Sequence, residues 1–118
     1  MEIVVTLDCK DPGALARFWE AALSPMGYRP AFDAPPYLSL VSDGGPTLLL
    51  QEVPEPKSTK NRMHLDLGVE HLEAEVDRIV GLGARTVETD LTEHRYRWAV
   101  LADPEGNEFC VFVPPGSP

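Results

Sequence analysis

Cysteine is scarce in this chain. There are two, with no Cys-x-x-Cys pair, so neither a disulfide scaffold nor a thioredoxin-type redox motif is available. Strand alternation predicts Cys9 and Cys110 on opposite faces of their strands, which disfavours a bond between them. Two unpaired cysteines fit a reducing compartment. No apolar run approaches the roughly 20 residues of a membrane helix. The opening MEIVVTLD has no basic segment and no long apolar stretch, so no signal peptide is expected, and the expected location is cytoplasmic. Positive charge is also in short supply. Ten Lys and Arg face nineteen Asp and Glu, a net charge of −9. Such a surface repels nucleic acid and anionic membranes, and neither partner is expected. There is no phosphate-binding glycine loop and no serine-nucleophile elbow.

What the chain does have is a repeat. Ile3–Asp8 alternates apolar and polar residues as a strand and leads into a helix at Pro12–Leu23. Asp11 can cap that helix, and Pro12 at its first position needs no donor. Leu15, Phe18, Trp19, Ala22 and Leu23 share one face. Strands follow near Gly27–Phe32, Tyr37–Val41 and Thr47–Glu52, separated by Ala34-Pro35-Pro36 and Asp43-Gly44-Gly45-Pro46. From Arg62 the order starts again: a strand at Met63–Val69, a helix at Leu72–Leu82, and strands near Arg85–Glu88, Tyr96–Ala102 and Glu108–Val113. Leu72, Val76, Ile79 and Val80 form the second helix's apolar face, and Gly83 is its stop. Asp103-Pro104-Glu105-Gly106-Asn107 is a turn, and Pro114, Pro115 and Pro118 make a frayed tail.

At 118 residues, 43% hydrophobic and 25% charged, the chain reads as one soluble domain. It is made of module 1 (residues 1–53), a polar linker (54–61) and module 2 (62–118). Each half alone is too short to bury a sizeable core. The fold class is α+β: two βαβββ modules forming a cupped, half-barrel mixed sheet with helices on the outer face. A cup of this kind is where a small molecule sits.

Alternation then assigns faces. Ile3, Val5, Leu7, Met63, Leu65, Leu67, Phe109, Val111 and Val113 are expected against the helices. Val4, Thr6, Asp8, Leu49, Gln51, His64, Asp66, Trp98, Val100, Glu108 and Cys110 are expected to line the cup, with Tyr37 also pointing inward. The ligand-binding candidates are Tyr37, Gln51, His64, Asp66, Trp98, Glu108 and Cys110. Histidine as a residue type changes charge near working pH, and His64 is the candidate acid/base residue. Asp66 and Glu108 can orient it or hold a cationic group. Trp98 and Tyr37 can sandwich a flat or apolar ligand. Each also has a plainer reading, as ordinary core or as a solvated rim. Phe18 and Trp19 read as core. His71 and His94 read as surface, and Lys57, Lys60 and Arg62 as a solvated linker that could close over the cup.

Three segments, LDCKDPGALARFWEAAL, KNRMHLDLGVEHLEAEVDRIVGLGA and ADPEGNEFCVF, resemble the vicinal oxygen chelate superfamily of glyoxalases, bleomycin-resistance proteins and dioxygenases, in its glyoxalase-like branch. The resemblance spans essentially the whole chain. It implies one metal ligand each from the first, fourth, fifth and eighth strands, positions that here fall on Val4, Gln51, His64 and Cys110. Val4 cannot ligate, and Cys110 replaces a carboxylate, so no metal is the favoured reading. If a divalent metal binds, the resemblance assigns it to His64, Gln51 and Cys110. It also implies a homodimer. The expected function is a glyoxalase-like small-molecule-binding protein without the usual metal site. The alternative is a lyase, isomerase or dioxygenase, metal-dependent through that set or metal-free with His64 as acid/base.

Overall fold

The structure, a computed structural model, describes residues 1–116. Pro118, part of the expected tail, lies outside the described residues. The chain divides into two compact units between Lys57 and Ser58.

Unit 1 runs β1 (Val4–Cys9), α1 (Pro12–Ala22), a 3-10 turn (Ser24–Met26), β2 (Arg29–Ala34), β3 (Tyr37–Val41) and β4 (Thr47–Glu52). Its sheet order is β1-β4-β3-β2. β1 and β4 are parallel, and the other pairs are antiparallel. Unit 2 runs β5 (Asp66–Gly68), α2 (Leu72–Gly81), β6 (Arg85–Glu93), β7 (Tyr96–Ala102) and β8 (Glu108–Val113). Its order is β5-β8-β7-β6, again with one parallel pair, β5 with β8. The repeat read from the sequence is therefore a repeat of topology. The fold is α+β, two βαβββ modules, each an open mixed sheet with one helix.

The helices form as their signals dictate. The Asp11 carboxylate accepts the Ala14 N–H at 3.1 Å, and Pro12 opens α1. Leu15, Ala16, Phe18, Trp19 and Ala22 are buried on the face that packs on β3 and β4. Phe18 and Trp19 meet edge to face, centroids 5.2 Å apart. In α2, Glu73 and Glu75 sit in the first turn and Arg78 in the last, which suits the helix dipole. Leu72 and Ile79 are buried against a sheet face of Leu101, Phe109, Val111 and Val113, each 1% exposed or less. Val80, expected on this face, is exposed. It follows Ile79 by one residue, about 100° around the helix, and falls outside the stripe.

Several boundaries differ from expectation. β2 begins at Arg29, because Gly27 takes φ +76° to close the 3-10 turn. β5 spans three residues rather than the expected Met63–Val69. Flanking bonds continue its ladder: Cys110 N–H donates to Leu65 O, and Val69 N–H to Phe112 O. Ile3 and Met63 precede their strands and are exposed, so neither packs against a helix. Leu65 is only half-buried. β6 is longer than Arg85–Glu88, with irregular register from Thr86 to Leu91 and Asp90 at φ 59°. Bulges destroy the period-2 signal that marks a strand. The β6–β7 turn places His94 and Arg95 at φ 52° and 67° without the usual Asn-Gly.

The expected turn at Asp103–Asn107 is organised by a buried carboxylate. Asp103 accepts from the backbone N–H groups of Glu105 and Asn107 and from the Asn107 side-chain amide. Among the described residues, no helix is long and apolar enough to cross a membrane.

Candidate ligand pocket and metal donors

The sheet of unit 2 has two faces of different chemistry. Along β8, Phe109, Val111 and Val113 are buried, whereas Glu108, Cys110 and Phe112 are half-buried on the other side. Register brings that second face together. Asp66 lies opposite Cys110, and Cys110 opposite Val100. One pleat along, Gly68 lies opposite Phe112, and Phe112 opposite Trp98. Tyr96 completes an aromatic corner, its ring 6.1 Å from that of Phe112 and tilted by 49°.

Glycine at 68 permits this arrangement. A Cβ there would lie 3.0 Å from Phe112 Cζ, so the ring rests where a side chain would otherwise stand. The result is a pocket of about 390 Å³ lined by His64, Asp66, Tyr96, Trp98, Cys110 and Phe112. One end is aromatic and the other is polar.

At the polar end, His64 Nδ1 and Asp66 Oδ1 are 2.9 Å apart. With the proton on Nδ1, the ring donates to the carboxylate and Nε2 keeps the lone pair of a base. The Cys110 thiol also hydrogen-bonds Asp66. Burial, then the Asp66 charge and that hydrogen bond, push the thiol from 9.0 up to about 11, with Lys60 pulling weakly the other way. A thiol held protonated at neutral pH is a poor nucleophile.

Of the seven residues singled out from the sequence, four meet here: His64, Asp66, Trp98 and Cys110. Glu108 stands apart from the pocket lining and pairs with Lys60 at 3.5 Å. Lys60 reaches β8 through this pair while its side chain stays 71% exposed. Tyr37 and Gln51 belong to unit 1, where they lie opposite each other on β3 and β4, with Asp8 on the far flank of Gln51. His71 and His94 are exposed. Sequence reasoning missed Tyr96 and Phe112. The signal was present, since Phe112 shares the parity of Cys110 and Tyr96 that of Trp98.

A family model for the glyoxalase-like domain matches residues 4–112. The chain belongs to the glyoxalase-like domain family. No curated protein matches it. Solved structures share the fold at low identity. One is a glyoxalase/bleomycin resistance protein/dioxygenase family enzyme from Burkholderia phytofirmans PsJN, 18% identical, with a TM-score of 0.78 over 93% of this chain and 95% of that one. A glyoxalase/bleomycin resistance protein from Albidiferax ferrireducens T118 is 20% identical, with a TM-score of 0.73 over 94% and 96%. A mutant fosfomycin resistance protein from Listeria monocytogenes, in complex with Mn(II) and a dihydroxypropylphosphonic acid, is 14% identical, with a TM-score of 0.74 over 92% and 85%.

The glyoxalase-like fold raises the question of a metal, and the donors present fit one. One ligand atom each from His64, Asp66 and Cys110 lie within 4.8 Å of one another. Imidazole, carboxylate and thiolate together suit a borderline ion such as zinc. Two of its members, His64 and Cys110, belong to the set the resemblance implied, and Asp66 is a further donor within unit 2. A bound ion would supply Lewis acidity. His64 and Asp66 would then share the tasks of holding it and orienting each other.

Proposed function

We propose that this glyoxalase-like protein binds a small organic molecule on the open face of the unit 2 sheet. The supporting observation is the pocket itself, with three aromatic side chains at one end and a hydrogen-bonded His64–Asp66 pair at the other. Aromatic walls with a few placed polar groups are the usual makeup of a ligand site. The reading needs no metal. A thermal-shift screen of metabolite-like compounds tests it, because a ligand that binds only the folded state raises the midpoint. At least one hit should persist in EDTA and be lost in Trp98→Leu. A screen without hits, or hits indifferent to Trp98, would count against it.

The second reading is an enzyme, favoured by the donor cluster. In its metal-free form His64 exchanges a proton with the ligand through Nε2 while Asp66 holds the ring. In its metal-dependent form His64, Asp66 and Cys110 hold the ion, and support comes from the Mn(II) complex of the fosfomycin resistance protein. Stoichiometric metal in the purified protein, lost in His64→Ala, would select this form. Less than one equivalent is the expected result.

We further propose a cytoplasmic homodimer. Each four-stranded sheet has edge strands, and β2 and β6 are almost wholly exposed along their length. Unpaired edges invite coverage by a second copy.

A further inference from the structure

We infer that the unit 2 pocket selects a compact organic cation, an alkylated ammonium group. The inference rests on the reading of this pocket as the ligand site. Its first support is the aromatic corner. Tyr96, Trp98 and Phe112 present rings whose faces carry partial negative charge, the surface on which cations settle. The second is the charge around it. Asp66 is the acidic member of the six lining residues, and none of the six is lysine or arginine. The nearby Lys60 lies outside the pocket lining, 3.5 Å from Glu108. The His64 ring hydrogen-bonds Asp66 through Nδ1. A chain of net charge −9 also steers cations towards itself.

The third support is hydrogen-bonding capacity. A primary ammonium brings three N–H donors, each needing an acceptor when it leaves water. The aromatic end offers ring faces and the Tyr96 hydroxyl, and part of the capacity of the Asp66 carboxylate is taken by His64 and Cys110. A tertiary or quaternary ammonium has one donor or none and leaves fewer groups unsatisfied. A volume of about 390 Å³ lies near the lower bound of small-molecule sites, so the cation is compact.

The probe is choline, against its neutral isostere 3,3-dimethyl-1-butanol. Both are titrated into the 118-residue protein and followed by NMR at the indole N–H groups. Two tryptophans give two signals. Trp19 is 1% exposed and serves as the internal reference, and Trp98→Leu assigns the other. Choline should shift the Trp98 signal and bind about fivefold to tenfold more tightly than the alcohol, within the span of cation–aromatic contacts. Asp66→Asn should lower the ratio of choline affinity to alcohol affinity, the carboxylate being the charged part of the site. Equal affinities for the two probes, or a preference untouched by Asp66→Asn, would overturn the cation assignment. A neutral-fragment library separates the two levels of the claim. Neutral fragments that move Trp98 where choline does not would overturn the cation class and leave the pocket as a ligand site. No compound of either kind moving Trp98 would overturn both.

Discussion

His64 shows how little one side chain need contribute to folding in order to matter to a site. Its side chain is 40% exposed, and its partner Asp66 is 53% exposed. An ion pair this open contributes little to stability. His64→Ala is expected to cost on the order of 1 kcal/mol in urea denaturation while weakening ligand binding. The comparison residue must come from the buried face. Leu65, which sequence parity assigned to the core, is half-buried and will not serve. Leu101 is fully buried, and Leu101→Ala should cost roughly 2–5 kcal/mol. Equal losses in the two variants would mark His64 as a structural residue.

Cys110 offers a pH readout at the same scale. Its thiol is raised in the folded protein, so the folded state holds the proton more tightly than the unfolded one. The stability this contributes is present in full below the ordinary value of 9.0 and is lost as pH rises through about 11. Reaction of native Cys110 with iodoacetamide should be slow at neutral pH and should climb towards pH 11. Cys110→Ala identifies the buried Cys9 background. A rate that levels off near pH 8 would show that Asp66 and burial do not act on this thiol as the geometry implies.

At the scale of elements, α1 and the β6–β7 hairpin teach opposite lessons. α1 is local: cap, first-position proline and apolar stripe all lie in one short segment and agree. Asp11→Ala removes the bond to the Ala14 N–H, and should cost about 0.5–2 kcal/mol by chemical denaturation. No change would mean that another group takes over the cap. The hairpin is not local. Its turn carries His94 and Arg95 at positive φ, and β6 is bulged, so neither the turn dipeptide nor the alternation announces it. What holds β6 in place is its long pairing with β7, which no window of β6 alone contains.

For the whole molecule, the proposal is a homodimer. Light scattering across a hundredfold concentration range should return twice the mass of the 13.0 kDa chain. A monomer throughout would remove the proposal and leave the exposed edges of β2 and β6 to be explained by their charged and proline residues, which also discourage edge pairing.

The sequence by itself determined the βαβββ repeat, the two helices and the parity that puts His64, Asp66, Trp98 and Cys110 on one side of their strands. Those are consequences of periods 3.6 and 2.0, of caps and of turn residues, all short-range in the chain. Only the tertiary structure decided which same-side residues meet. Strand pairing sets Asp66 beside Cys110, although 43 residues lie between them, and sets Phe112 between Gly68 and Trp98. It also set Glu108 against Lys60 and away from the pocket lining. Parity states which face a side chain takes, but distance along that face depends on register, and register is fixed by the partner strand. Asp66 joins His64 and Cys110 as a possible donor for a physical reason: a residue two positions along the chain from His64 is within hydrogen-bonding reach of it.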